Sequence, residues 1–253
     1  MLKNEDERIR ALEHLDKQFV YEFDEMNARA GAYLSQRPYM TPGVMRKWGV
    51  GVLPSKSKSM LRGRIVYCLR NEKSEKIGWA GRDLAFEEKQ HKWENSDRKK
   101  SAPEKTKFPP GFTRGSFLYG AEVERLEREG VREQIQETGL IVCEGFNDVI
   151  ALDSKGVVAV AICSNRISEG QIEKLVRWSN ELANGRITLF LDNDEQGVEG
   201  TKQMISKLVE HVHVRTVWQP NSSGSKFRNK QPEEIDEQSL IQLLNCSISS
   251  EQA

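Results

Sequence analysis

The chain contains 253 residues with 38 basic and 38 acidic side chains, and its formal charge at pH 7 is therefore zero. A chain of this length can bury a sizeable core and is expected to form one composite domain or two small ones. The N-terminus is too polar for a signal peptide, no apolar run is long enough to span a membrane, and the four cysteines lack Cys-x-x-Cys spacing. These features exclude a membrane protein and a cysteine-based zinc site, and they predict a soluble, cytoplasmic protein.

The first part of the chain is expected to be helical. Apolar residues recur at three- and four-residue steps over residues 5–35, which predicts one or two helices. Thr41 followed by Pro42 is typical of a helix start, and this short helix is expected to end near Trp48.

Two strands and a charged segment follow. Residues 64–69 and 76–81 are predicted to form an antiparallel pair within a smaller mixed subdomain that ends at residue 120. Residues 86–107 are charged and poor in aliphatic side chains, which predicts a mobile loop. From 89 to 107, seven basic residues stand against three acidic ones, so the neutral total hides a local basic region suited to nucleic acid.

Beyond residue 120, helical and strand patterns alternate. The alternation predicts a parallel sheet with helices on both faces over residues 121–253. The predicted helices lie at 122–136, 147–154, 168–182, 195–210 and 236–244, and the predicted strands at 140–144, 157–163, 186–192 and 212–218.

Two of these strands end in acidic residues: the sequences are LIVCEGFND at 140–148 and ITLFLDND at 187–194. Buried parallel strands deliver such residues to the carboxyl edge of a sheet, where open α/β folds bind ligands. Glu144, Asp192 and Asp194 form an all-oxygen set of candidate ligands, which suits Mg²⁺ or Mn²⁺ and indicates phosphate chemistry. Because the two aspartates are two residues apart, the period of a strand predicts that they point the same way.

The same two motifs resemble the signature of the toprim domain, the metal-dependent module of DnaG-type primases, topoisomerases and OLD-type nucleases. Further segments resemble the bacterial primase core and occur in its order: GAYL at 31–34, MRKWGVGVLP at 45–54, RGRIVYCL at 62–69, IGWAGR at 77–82 and RGSFLYG at 114–120. The resemblance implies a toprim, Rossmann-like parallel sheet with helices on both faces, preceded by a smaller mixed α+β primase subdomain.

The resemblance also implies a role for each acidic residue. Glu144 corresponds to the proposed general acid or base of toprim enzymes, and Asp192 and Asp194 correspond to the aspartates that hold the divalent metal. Asp148 fits the second carboxylate of the first motif, so these four residues are the predicted metal ligands.

Basic residues complete the site that the resemblance implies. Arg82 and Arg114 match basic positions at the ends of primase segments, and Lys107 and Arg64 are further candidates for contacts with nucleotide or DNA. The planar guanidinium group binds phosphate through two hydrogen bonds, so arginine is well suited to position 114.

The chain departs from the family pattern in its third acidic motif. Where primases carry Asp-Pro-Asp, the match is Gln231-Pro232-Glu233, and the missing carboxylate implies a weaker metal site or fewer ions. The usual Asp-Gly-Asp is Asp-Asn-Asp, and Asn193 is expected to tolerate an unusual backbone conformation. No zinc-ribbon pattern or helicase-binding bundle is visible, which favours a stand-alone core, a mobile-element primase or a piece of a longer polypeptide.

The predicted function is synthesis of RNA primers on single-stranded DNA from ribonucleoside triphosphates, with Mg²⁺ or Mn²⁺ as cofactor. A replicative helicase or a separate zinc-binding domain is a further expected partner, and no membrane partner is expected. Two alternatives stay open: a toprim nuclease with the same acidic residues, and a catalytically silent toprim protein that binds nucleic acid.

Overall fold

The computed structural model describes residues 15–98, 101–164, 166–218 and 226–244. The chain divides into two compact units. The first unit comprises Met1–Leu69 and Lys76–Phe112, and the second comprises Arg70–Glu75 and Thr113–Ala253. The division after Phe112 falls a few residues before the boundary predicted at 120.

A four-stranded sheet forms the centre of the first unit, in the order β1-β2-β3-β4. The strands are β1 (Val50–Val52), β2 (Ile65–Arg70), β3 (Lys76–Arg82) and β4 (Thr106–Lys107). β1 pairs antiparallel with β2, and β3 pairs antiparallel with β4. The two strands predicted from the sequence correspond to β2 and β3.

The α-helices that accompany this sheet within the described residues are α1 (Ala28–Ser35), α2 (Pro42–Trp48) and α3 (Phe86–Glu94). The predicted start of α2 is confirmed, because Thr41 Oγ1 accepts a hydrogen bond of 3.3 Å from the Val44 N–H. The helix ends at Gly49, whose φ of 62° is available to glycine without steric cost.

The helical prediction for residues 5–35 is wrong in its middle, and its part before residue 15 lies outside the described residues. Val20 forms an antiparallel bridge with Val52, so the chain is extended there. Phe19 is buried with its ring centroid 4.9 Å from that of Trp79. Packing against the sheet has therefore overridden the helical spacing of the apolar residues.

The prediction of a mobile loop at 86–107 is also wrong, because this segment contains α3 and β4. Glu87 and Glu88 lie in the first turn of α3, and His91 and Lys92 lie in its last turn. This charge order complements the helix dipole. None of the residues of α3 is buried, so an apolar pattern could not indicate the helix.

The second unit contains a four-stranded parallel sheet in the order β6-β5-β7-β8. Its strands are β5 (Leu140–Cys143), β6 (Ala159–Ala161), β7 (Arg186–Leu189) and β8 (His213–Thr216). The helices that flank the sheet are α4 (Val123–Leu126), α5 (Val131–Thr138), α6 (Phe146–Ser154), α7 (Glu169–Leu182), α8 (Glu195–Leu208) and α9 (Glu237–Leu244). The predicted α/β fold is confirmed.

One helix of this unit differs from its prediction. The charged helix expected at 122–136 is two short helices, α4 and α5, separated by Gly130. Gly130 has a φ of 68°, and a residue in that conformation cannot continue a right-handed helix. The apolar spacing of the segment spans the break and so conceals it.

The strand order places a topological switch point in the second unit. β6 lies on one side of β5, and the connection after β6 crosses to β7 on the other side, so the strand order reverses between β5 and β7. A crevice forms at the carboxyl ends of two strands related in this way, and ligands bind there in open α/β sheets. This crevice lies between β5 and β7, the two strands that are followed by the acidic residues Glu144 and Asp192.

No helix within the described ranges combines the length and the apolar character needed to cross a membrane.

Candidate functional site

The first part of the site is formed where β5 and β7 end. Glu144 directly follows β5, and Asp192 lies three residues after β7. The Asp192 N–H donates a hydrogen bond of 3.3 Å to Glu144 Oε1. The two residues that the sequence predicted from separate strand ends are therefore brought together.

Asp148 lies in the first turn of α6, four residues after Glu144. Its carboxylate is only 5% exposed and accepts a hydrogen bond of 2.9 Å from the Gly145 N–H, which caps the helix. Burial raises the pKa of Asp148 well above its usual range, and the neighbouring carboxylates of Asp192, Glu233 and Glu144 raise it further. The hydrogen bond from Gly145 acts in the opposite direction but does not offset these effects.

Glu233 was not among the predicted site residues, although the structure brings it to Asp148. It lies in a 3-10 turn, Pro232–Glu234, and is 9% exposed. Its only signal in the sequence was the imperfect Gln-Pro-Glu match. Glu144, Asp148, Asp192 and Glu233 are called the acidic cluster below.

Gln231 directly precedes this turn and contacts the acidic cluster through its side chain. Its Nε2 donates a hydrogen bond of 3.0 Å to Asp192 Oδ2. Its backbone N–H donates a hydrogen bond of 2.8 Å to Glu234 Oε2. An amide donor thus occupies a position beside Asp192 where a carboxylate would add a negative charge.

Asp194 has a different environment from Asp192. β7 ends at Leu189, so the period-two argument does not apply to residues 192 and 194. Asp194 is exposed and caps α8, since its Oδ1 accepts a hydrogen bond of 2.8 Å from the Gly197 N–H. Gly197 has no room for a side chain, because a Cβ atom there would lie 1.9 Å from the Asp192 carbonyl oxygen.

Asn193, between the two aspartates, contacts the segment that carries Gln231. Its Nδ2 donates a hydrogen bond of 2.7 Å to the Phe227 carbonyl, and its backbone N–H donates one of 2.8 Å to the Lys230 carbonyl. Asn193 is not among the described non-glycine residues with positive φ, so the unusual backbone conformation expected for it is absent.

The donor chemistry of the acidic cluster fits a hard divalent cation. Hard divalent cations prefer carboxylate oxygens as ligands, and the pKa of Asp148 is raised by its burial and, to a smaller extent, by the neighbouring carboxylates of Asp192, Glu233 and Glu144. In the described part of the chain, no group of three or more His, Cys, Asp or Glu side chains has the geometry of a metal site. The binding of Mg²⁺ or Mn²⁺ by Glu144, Asp148, Asp192 and Asp194 therefore stays a prediction.

Among the predicted basic residues, only Arg114 belongs to the second unit. It is exposed and begins a 3-10 turn, Arg114–Ser116, that packs against the start of α7. Ser168 Oγ donates a hydrogen bond to the Gly115 carbonyl, and Gln171 Nε2 donates one of 2.8 Å to the Phe117 carbonyl. These contacts fix the backbone that presents the Arg114 side chain.

The other three predicted basic residues lie in the first unit, on β2, β3 and β4 or at their ends. Arg82 is partly buried, with its guanidinium carbon 5.4 Å from the centroid of the Tyr33 ring. Lys107 lies opposite Gly81 in the β3–β4 pair. Arg64 is bound within the unit, because it donates hydrogen bonds to the Gly81 carbonyl and to Asp83.

Comparison with known proteins supports the interpretation of the fold. Residues 141–226 match a family model described as Toprim-like. The RNA polymerase domain of Mycobacterium tuberculosis primase DnaG is 18% identical, with a TM-score of 0.68 over 96% of this chain and 84% of that chain. A structure of Aquifex aeolicus primase with its zinc-binding and RNA polymerase domains is 20% identical, with a TM-score of 0.67 over 96% of this chain. This chain spans 62% of the length of that Aquifex aeolicus chain.

A third structure is a DnaG primase catalytic domain bound to single-stranded DNA, 16% identical with a TM-score of 0.62 over 93% of this chain and 77% of that chain. Comparison with curated protein sequences finds no significant match. The second unit therefore contains a toprim-like domain with an acidic cluster at its switch point. The chain as a whole has the fold of DnaG-type primase catalytic cores, and the resemblance in the sequence is confirmed at the level of the fold.

Proposed function

We propose that this chain is a DnaG-like primase core that makes RNA primers on a single-stranded DNA template. The observation that supports this most directly is the acidic cluster at the switch point between β5 and β7. It occurs in a chain whose fold matches primase cores along most of its length. Ribonucleoside triphosphates are the proposed substrates, and single-stranded DNA, which is bound in one of the similar structures, is the proposed template.

The proposed reaction joins a 3′-hydroxyl oxygen to the α-phosphorus of a nucleotide, and the bond from that phosphorus to pyrophosphate breaks. Glu144, Asp148, Asp192 and Asp194 would hold Mg²⁺ or Mn²⁺, and the ion would lower the pKa of the attacking hydroxyl and neutralise charge on the phosphates. Glu144 lies at the strand end beside Asp192, where it can accept the proton of the hydroxyl. Asp194 in addition orders the start of α8 through its capping hydrogen bond.

The basic residues are proposed to bind phosphate groups of the nucleotide or the template. Arg114 is exposed on a fixed turn and Arg82 lies at the end of β3, so both can present a guanidinium group. Lys107 supplies a further positive charge on β4. Arg64 is proposed to act indirectly, by supporting the sheet through Asp83.

Incubation of the protein with single-stranded DNA, ribonucleotides and Mg²⁺ or Mn²⁺ tests the proposal. We expect short RNA products that are lost when Asp192 is replaced by Ala. A shortened DNA template in place of RNA products would support the toprim nuclease instead. Binding of DNA without either product would support a silent nucleic-acid-binding protein. Lys207→Met is a suitable control, because Lys207 is on α8 and pairs with the exposed Glu169.

A replicative helicase and a zinc-binding domain are the further partners that we propose. The Aquifex aeolicus structure contains a zinc-binding domain together with its RNA polymerase domain. Addition of such a domain as a separate protein is expected to increase primer yield. A stimulation that also occurs with Asp192→Ala would not come from this site.

A further inference from the structure

The segment 226–235 forms one side of the acidic cluster but comes from a distant part of the sequence. It carries Gln231 to Asp192 and Glu233 to Asp148. The chain separation between Gln231 and Asp192 is 39 residues. Contacts that hold this segment therefore decide whether the acidic cluster is complete.

One such contact comes from Lys155, which directly follows α6. Its ammonium group donates hydrogen bonds of 3.2 Å to the Glu233 carbonyl and 2.7 Å to the Ile235 carbonyl. The first acceptor lies in the middle of the 3-10 turn, and the second directly follows the turn. Burial lowers the pKa of Lys155, whereas the carboxylates of Glu233 and Asp236 act in the opposite direction. Lys155 thus brings a positive charge to the side of the acidic cluster.

A second contact comes from Asn193, which binds the earlier part of the segment. Its side chain and its backbone N–H bind the Phe227 and Lys230 carbonyls, and the Asn193 carbonyl accepts a hydrogen bond of 2.9 Å from the Asn229 N–H. Three hydrogen bonds at one residue therefore fix the chain immediately before Gln231. None of them requires a bound ion.

We propose that Lys155 and Asn193 are positioning residues that fix the segment 226–235 on the acidic cluster. Gln231 and Glu233 then stay beside Asp192 and Asp148 before any divalent ion binds. Both ends of α6 therefore contact the site, because Asp148 lies in the first turn of this helix and Lys155 directly follows its last residue. The inference rests on the proposed function for the role of the ion, but the fixed position of the segment can be measured by itself.

Hydrogen–deuterium exchange of peptides from 226–236 tests the inference in EDTA. The reporting amides are those of Gln231, Glu234 and Ile235, which donate to Glu234 Oε2 and to the Gln231 and Pro232 carbonyls. In the unchanged protein we expect them to be protected. Lys155→Met loses two hydrogen bonds to the segment and Asn193→Ala loses the one from its side chain, so each should accelerate exchange about tenfold, which corresponds to about 1.4 kcal/mol. Lys155→Arg should retain protection.

Titration with Mn²⁺ gives a second readout, in which both variants should bind the ion about tenfold more weakly. Lys207→Met is the control for loss of an unrelated lysine, and circular dichroism verifies that each variant is folded. If Lys155→Met does not fold, Asn193→Ala carries the test. Unchanged exchange in the variants, or protection that appears in the unchanged protein only after Mn²⁺ is added, overturns the inference. Absence of Mn²⁺ binding by the unchanged protein contradicts the proposed function, while the exchange comparison still decides the positioning role.

Discussion

The side-chain amide of Gln231 donates a 3.0 Å hydrogen bond to Asp192 Oδ2. A neutral donor thereby satisfies one oxygen of a carboxylate that we propose binds a metal ion. Replacement by Asp would put a second carboxylate at this place. The cluster would then carry more negative charge in the absence of metal and would bind a cation more strongly once it is present.

Gln231→Asp is accordingly expected to lower the melting temperature in EDTA, because like charges at short range repel. It should also increase the affinity for Mg²⁺ or Mn²⁺ about tenfold and raise activity at low Mg²⁺. Isothermal titration of both proteins measures the affinity, with Gln231→Asn as a neutral control. Equal affinities would mean that residue 231 does not contribute to the ion site.

Asp148 makes stability depend on pH in a defined direction. Its pKa is raised in the folded protein, so the folded state binds its proton more tightly than the unfolded state. The stabilisation that Asp148 contributes to the folded state is fully present below the usual pKa of an Asp, and it is lost as the pH rises through the raised pKa. Asp148→Asn should remove this loss, and so increase stability at neutral pH in EDTA while abolishing metal binding.

Urea unfolding of the unchanged protein and Asp148→Asn from pH 4 to 8 measures this effect. The asparagine Oδ1 can still accept the hydrogen bond from Gly145, so the helix start is preserved. Parallel stability curves for the two proteins would contradict the assignment of the pH dependence to Asp148.

Asp194 is predicted to have two separable roles. Asp194→Ala removes both the charge and the cap of α8, and should cost about 1 kcal/mol of stability. Asp194→Asn retains the cap and removes only the charge, since asparagine is an equally good N-cap residue. Both variants should bind divalent ions more weakly, whereas only Asp194→Ala should unfold at a lower denaturant concentration than the unchanged protein. Normal metal affinity in Asp194→Asn would remove Asp194 from the ligand set.

Arg82 and Arg64 are expected to differ although both lie in primase-like segments. Arg82→Ala should weaken the binding of single-stranded DNA. It should also make the slope of log affinity against log salt concentration smaller by about one, as expected for the loss of one phosphate contact. Arg64 is largely buried with Asp83, so Arg64→Ala should instead cost about 2 kcal/mol of stability. Fluorescence anisotropy at several salt concentrations, together with urea unfolding, separates the two effects. A salt-independent DNA affinity would exclude a phosphate-binding role for the basic residues.

Gly197→Ala tests the close approach of α8 to the loop that carries Asp192. The added Cβ would lie 1.9 Å from a backbone oxygen, so we expect a loss of about 1–3 kcal/mol together with weaker ion binding. Gly31→Ala is the matched control, because a Cβ in that helix meets nothing within 4 Å and should stabilise by about 0.4–1 kcal/mol. Thermal unfolding of both variants measures the difference.

Local patterns in the sequence were sufficient to predict the alternation of strands and helices beyond residue 120. They were also sufficient to predict that Glu144 and Asp192 follow two neighbouring strands and that Thr41 caps a helix, because strand ends and helix caps are encoded by neighbouring residues. The same patterns failed near Val20 and Gly130. There, a contact with a distant strand and a single backbone angle decided the structure.

Only the tertiary structure decided which distant side chains complete the site. Lys155 meets the Glu233 carbonyl across 78 residues, and Gln231 meets Asp192 across 39. No periodicity relates residues at such separations, because their proximity depends on how the parallel strands and their crossover helices pack. The same packing buries Asp148 and pairs Arg64 with Asp83, so burial and pairing gave these residues environments that residue type alone could not predict.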